Sequence, residues 1–275
     1  MDEFNAPTTD EIIVKYLHIK HAEFNPDQAQ VDFTRLLESG RDARVDANQE
    51  RKFWKERGHD IQQIYRQVGQ QFAQEFGLPP LDYQPGAVRV AKTVGRTRET
   101  FIGNSGLIVV NLDDIQKSGG LGEKYLAHGI GHLYQAKDGQ RIGLKQKTGE
   151  GFVFHEAVTE LESQKSLAIV DPNNHQPEPV TRSDEIDKFR ELCSQLTQRG
   201  VASSIDQAQQ VAVRASWGDD QQWQRWQQLI MEAYPQDSNE IFRLSGIDPL
   251  VATDPSGTKW DNQLHELSFA INHGE

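Results

Sequence analysis

Between Gln49 and Phe76 the apolar residues Phe53, Trp54, Ile61, Ile64, Tyr65, Val68, Phe72 and Phe76 recur at spacings of three, four and seven. Those spacings place them on one face of a single long helix, which the run Gly77-Leu78-Pro79-Pro80 ends. A helix with one continuous apolar face is stable only against other elements that cover that face. The rest of the chain must therefore supply what packs there. With 275 residues the chain has ample core for independent folding without disulfides. Its single cysteine, Cys193, excludes an internal disulfide and a CxxC pair, and reads as a small buried hydrophobe on a helix.

Residues 1–48 mix short apolar patches with Asn-Pro and Ser-Gly breaks and read as an N-terminal extension with one or two short helices. Two short β-branched runs, Val88 to Val94 and Gly106 to Asn111, follow the long helix and predict strands. Gly119 and Gly120 open a helix from about Leu121 to Ala136, and residues 151–169 form a third helical pattern. The run DPNNHQPEP then breaks the periodicity, giving a linker at 171–183. From 184 to 275 the chain is helical throughout, with segments at 184–199, 204–217, 220–233, 238–245 and 259–273. Ser204 and Gln207 have capping-box spacing. Trp223, Trp226, Leu229 and Ile230 fall at helical spacing and predict a packed stripe rather than a binding surface. The fold class expected is α+β: a small domain over 49–170, comprising a helix, a short sheet and two further helices, followed by an α-helical region over 184–275.

Charge narrows the function classes. Forty-one acidic residues against twenty-nine basic give a formal charge of -12. Such a surface repels phosphate, so nucleic acid is not the expected partner. The acidic N-terminus lacks the apolar core of a secretory signal, and no run approaches the ~18 apolar residues of a membrane helix. A cytoplasmic protein of a reducing compartment, without a membrane partner, is expected. Oligomeric state leaves no mark in the sequence.

The chemistry concentrates in LAHGIGHLYQ, residues 126–135. His128 and His132 are four apart, so both imidazoles leave one face of a helix, while Leu126, Ile130 and Leu133 form an apolar stripe on nearly the opposite side. One pair among nine histidines needs support from elsewhere. It comes from Glu156 and Glu160 in HEAVTE, again four apart on a predicted helix. One carboxylate can complete a metal site while the other, a turn on, accepts a ligating histidine's second N–H. By themselves these glutamates also read as a solvated acidic face shared with Glu162. His18 and His21 are a further histidine pair, and read as surface residues.

HGIGH followed by HEAVTE resembles the gluzincin metallopeptidases, and the compactness of residues 49–169 is similar to that of the minigluzincins. In that family a helix and small sheet precede an HExxH helix, and a second helix supplies the third ligand from a motif such as N-E-x-x-[ST]-[DE]. Glu156, Thr159 and Glu160 match the second motif, with His155 at the asparagine position. The resemblance implies a zincin-like domain in which His128, His132 and Glu156 bind Zn2+ and Glu160 orients a histidine. It also implies that an extended peptide lies along Leu107, Ile108, Val109 and Val110 as an edge strand. The catalytic general base, which takes a proton from water and delivers it to the leaving amine, falls on Gly129. Glycine can do neither step, so the resemblance implies a zinc-binding peptidase homologue with hydrolysis lost or impaired.

Two other readings remain open. One is an active zinc peptidase whose base is another group, for which Asp138 and Glu150 lie near in sequence; Glu123 points elsewhere on the helix. Tyr134 and His155 are the candidate oxyanion donors. The other is a non-enzymatic helical scaffold or interaction protein acting through its C-terminal helices or N-terminal extension.

Overall fold

The structure is a computed structural model, and it describes residues 24–38, 43–93, 101–102, 105–116, 121–135, 141–146, 148–172, 182–246 and 258–275. Most of the extension, the centre of the linker, Gly119, Gly120, Asp138, His18 and His21 lie outside the described residues. The class is α+β, with helix predominating and one short mixed sheet. The chain divides into two compact units, His21–Tyr134 with Leu161–Val180, and Gln135–Glu160 with Thr181–Glu275. Among the described residues no helix is long and apolar enough to cross a membrane.

The first unit is organised by the long helix. Helix α1 is Pro26–Glu38 and α2 is Ala47–Phe76. Asp46 caps α2 by accepting from the N–H groups of Asn48 and Gln49, and Gly77, at φ 66°, closes it in the left-handed conformation that glycine adopts without strain. Phe53, Ile61, Ile64, Tyr65, Val68 and Phe72 are buried along it, while Trp54 and Phe76 are half-buried at its margins.

Four strands form a sheet in the order β1-β2-β4-β3: β1 Ala43–Arg44, β2 Val88–Thr93, β3 Phe101–Ile102 and β4 Ile108–Asn111. β2 and β4 run parallel, with Val88 opposite Ile108 and Ala91 opposite Asn111. Leu107, Val109 and Ala91 pack with Phe33 of α1 in one cluster. Every residue from Leu107 to Val110 is buried, which is why this run reads as continuously apolar rather than alternating. The short helix α3 (Leu112–Ile115) leads towards α4 (Leu121–Tyr134), which packs on β4 and α2.

The second unit begins with the hairpin of β5 (Arg141–Ile142) and β6 (Lys145–Gln146). Helix α5, Phe152–Val170, contributes its first half, through Glu160, to this unit. Helices α6 Ser183–Gln198, α7 Ile205–Ser216, α8 Asp220–Ala233, α9 Ser238–Leu244 and α10 Thr258–His273 complete it. Trp226 is its central ring, touching Phe154 of α5 and Phe189 of α6 edge-on or tilted at 6.1 Å. Leu229 and Ile230 share that core, and Trp223 is half-buried. Cys193 is buried in α6. The Ser204 hydroxyl caps α7 at the Gln207 N–H, and the Gln207 side chain returns to the N–H of Ser203 rather than to that of the cap residue.

Candidate metal centre

Helix α4 is set in place by contacts at both ends. At its start Arg57 of α2 pairs with Glu123 at 2.7 Å and donates to the carbonyls of Ile115 and Gln116, holding the end of α3 beside the first turn of α4. Gly122 lets the two helices meet: a Cβ there would lie 2.3 Å from the Ile115 Cα. At the other end Tyr134 stacks on Phe72 at 5.8 Å, and its hydroxyl accepts from the Leu81 N–H. Glu123 and Tyr134 thus have structural work in the first unit. The helix is buried on nearly every side, so the apolar stripe opposite the histidines is only part of its covered surface.

His128 is buried and His132 is partly exposed. Their Nε2 atoms are 2.9 Å apart, and their rings are almost perpendicular, at 80°. The i, i+4 spacing therefore brings two imidazole nitrogens to one point, as the sequence predicts.

On α5, Glu156 and Glu160 are both buried, which overturns the solvated acidic face as their environment. Their helix is anchored at its start, where the Val153 N–H donates to the Ser245 carbonyl and the Gly151 N–H to the Ser245 hydroxyl. The Gln135 amide donates to the hydroxyls of Thr159 and Ser216, and Thr159 donates to the His155 carbonyl. Thr159, matched in the second motif, is thus a buried fastening of the α5 backbone. His155 is buried beside Gly143 in the β5–β6 turn and Ser216.

The charges around Glu156 come from residues that no motif or spacing singles out. Arg182, just before α6, places one guanidinium nitrogen 3.2 Å from Glu156 Oε2 and another 3.1 Å from Glu185 Oε1. Burial pushes the Glu185 carboxyl above its ordinary value, while Arg182 pulls it down. Lys145 of β6 is also buried, and burial pushes its ammonium below the ordinary value against the attraction of Glu156. Two buried carboxylates, the buried Lys145 and the partly exposed Arg182 therefore form one group, the arrangement that makes buried charge tolerable.

His128, His132 and Glu156 each offer one ligand atom, and these atoms lie within 4.8 Å of one another. This buried group could hold a metal ion. Two imidazoles and a carboxylate match the donor set of an open zinc site. Bonds of ~2.0–2.1 Å in a tetrahedron separate two nitrogens by roughly 3.3 Å, so the imidazoles need to part by only about 0.4 Å to fit. Gly129, one residue beyond His128, is buried and brings no functional group.

The peptide-binding strand requires correction. β4 is not an edge: it pairs with β2 on one side and, at Ile108 and Val109, with β3 on the other. Leu107, Ile108, Val109 and Val110 are core residues with at most 1% exposure. At Ile108 and Val109 the strand is paired on both sides and cannot also pair with an added strand.

No family model matches the chain, and neither the curated proteins nor the solved structures contain a significant match.

Proposed function

We infer that this chain is a zinc-binding protein of zincin-like design, with His128, His132 and Glu156 as the protein ligands and peptide hydrolysis lost or strongly impaired. The observation that carries the reading is the convergence of these three side chains, from two separate helices, within 4.8 Å. Buried Glu160, one turn after Glu156, is the residue that orients a histidine.

Bound there, a zinc ion supplies Lewis acidity toward a carbonyl oxygen or a water molecule. The imidazoles serve as neutral nitrogen donors and Glu156 as the single anionic donor. Proton transfer to and from the reacting atoms falls to the chain, and position 129 has no group to perform it. A positioned acid/base is worth ~10²–10⁴-fold, and an amide additionally needs its leaving nitrogen protonated. The expected chemistry is metal binding with little or no hydrolysis.

Zinc per chain, measured on protein purified without chelators or a histidine tag, tests the reading. The native chain should carry about one zinc, and His132→Ala and Glu156→Ala should carry almost none. A native protein that neither contains zinc nor takes it up removes the metal and leaves the helical scaffold as the function. Where zinc is present, Gly129→Glu assayed on a peptide library tests the assignment of position 129: activity should appear with the carboxylate and be weak or absent without it.

A further inference from the structure

Arg182 stands where composition predicts only a linker, yet its side chain is mostly buried, at 16% exposure, between two carboxylates that are themselves almost fully enclosed. Its position is fixed from several directions. The residue caps α6, with the Ile186 N–H donating to its carbonyl at 2.9 Å. α6 and the first half of α5 share the Trp226 ring through Phe189 and Phe154, so the guanidinium and Glu156 are held to one piece of core. The fork then divides: one terminal nitrogen faces Glu156 Oε2, the other Glu185 Oε1.

We propose that Arg182 is the positioning residue of the metal site: it holds Oε2 of Glu156 and thereby presents Oε1 as a single, correctly turned ligand oxygen. The proposal rests on the zinc reading above. A glutamate side chain has three rotatable bonds, and its carboxylate can bind a metal through one oxygen or two. Fixing one oxygen in a charge-assisted hydrogen bond removes that freedom before the ion arrives. The guanidinium carries positive charge near a cation site, which by itself opposes the metal. Glu185, on the other arm of the fork, offsets that charge. Lysine would supply a point charge on a flexible stem, without the planar two-armed geometry.

The test compares the full-length native chain with Arg182→Gln, Arg182→Lys and Glu185→Gln. Zn2+ affinity is read by competition with a chromophoric chelator. The d–d absorption bands of Co2+-loaded protein report how the carboxylate coordinates, and thermal unfolding of the metal-free proteins reports structure alone. Arg182→Gln should weaken zinc binding about 10–100-fold, the range typical for groups that orient metal ligands, and shift the cobalt bands. Arg182→Lys should fall between it and the native chain. Glu185→Gln removes the offsetting charge while the arm toward Glu156 remains, so it should weaken zinc binding less than Arg182→Gln and leave the cobalt bands unshifted.

A merely structural role would lower the stability and zinc affinity of Arg182→Gln and Glu185→Gln together, without a change in the cobalt bands, and would overturn the proposal. So would native or tighter affinity in Arg182→Gln. If Arg182→Gln does not fold, Arg182→Lys decides: unaltered affinity and bands overturn the assignment. A native chain that takes up no zinc fails before any variant is compared, and that failure belongs to the zinc reading itself.

Discussion

Gly143 turns the β5–β6 hairpin with φ of +54°, in the left-handed region, and its Cα faces His155 and Ser216 so closely that a Cβ would lie 2.5 Å from the imidazole Nδ1 and 2.8 Å from the serine hydroxyl. Both constraints select glycine, and the second bears on function because His155 precedes Glu156. Gly143→Ala should cost about 1–3 kcal/mol through backbone strain and displacement of those side chains. The denaturant midpoint would fall correspondingly, and an unchanged midpoint would show that the turn accepts a side chain. Cys193 poses the opposite case, a reactive group made inert by its surroundings. It is fully enclosed in α6, and burial pushes its thiol well above the ordinary range. The thiolate is the reactive form, so an aromatic disulfide reagent at neutral pH should leave the native chain unmodified and label one thiol per chain after denaturation. Rapid labelling of the native protein would contradict that burial.

At the scale of the element, α5 places charge where packing leaves little water. Its Glu162 carboxyl is pushed above its ordinary value chiefly by burial, with Lys165 opposing and Glu75 reinforcing the shift. A carboxyl whose folded pKa is raised binds its proton more tightly in the native state. The ionised form therefore costs stability, and the cost develops as pH rises from the ordinary value of 4.5 through the raised one. Glu162→Gln should raise the unfolding temperature at neutral pH and leave it nearly unchanged at about pH 3, where the native glutamate is protonated in both states. Equal shifts at both pH values would remove ionisation as the cause. The helices themselves are legible because their apolar residues recur: α2 and α8 follow the 3.6-residue period, and Gly77 and Ser204 mark ends. The strands β1, β3, β5 and β6 are two residues each, too short for any alternation to register. Within the metal centre, His128 with His132 and Glu156 with Glu160 are local patterns and could be read. Arg182 and Lys145 meet Glu156 only through tertiary packing, so no spacing announces them, and the three-residue spacing of Arg182 and Glu185 says nothing of Glu156. The resemblance makes β4 an edge, and the two residues of β3 carry no signal of their own to correct it.

For the molecule as a whole, the metal reading makes stability depend on an ion. His128 and His132 lie on α4 and Glu156 on α5, so the complete ligand set exists only when both helices are folded. An ion that binds the native chain alone stabilises it by RT ln(1 + [L]/Kd), or about 2.7 kcal/mol at a hundredfold excess over Kd. Two features of the chain work against a clean effect. Nine histidines give the unfolded chain weak zinc affinity, and a formal charge of -12 draws any divalent cation toward the surface. Comparing metals separates these contributions. Magnesium and calcium share the charge of zinc but prefer oxygen donors, so they feel the surface charge without gaining from two imidazoles. Low micromolar zinc should raise the unfolding temperature of the native chain by several degrees, whereas the same concentration of magnesium should not. In Glu156→Ala the zinc shift should shrink sharply, although all nine histidines and nearly all of the surface charge remain. Equal responses to zinc and magnesium, or an undiminished zinc shift in Glu156→Ala, would assign the stabilisation to general charge screening and not to a site.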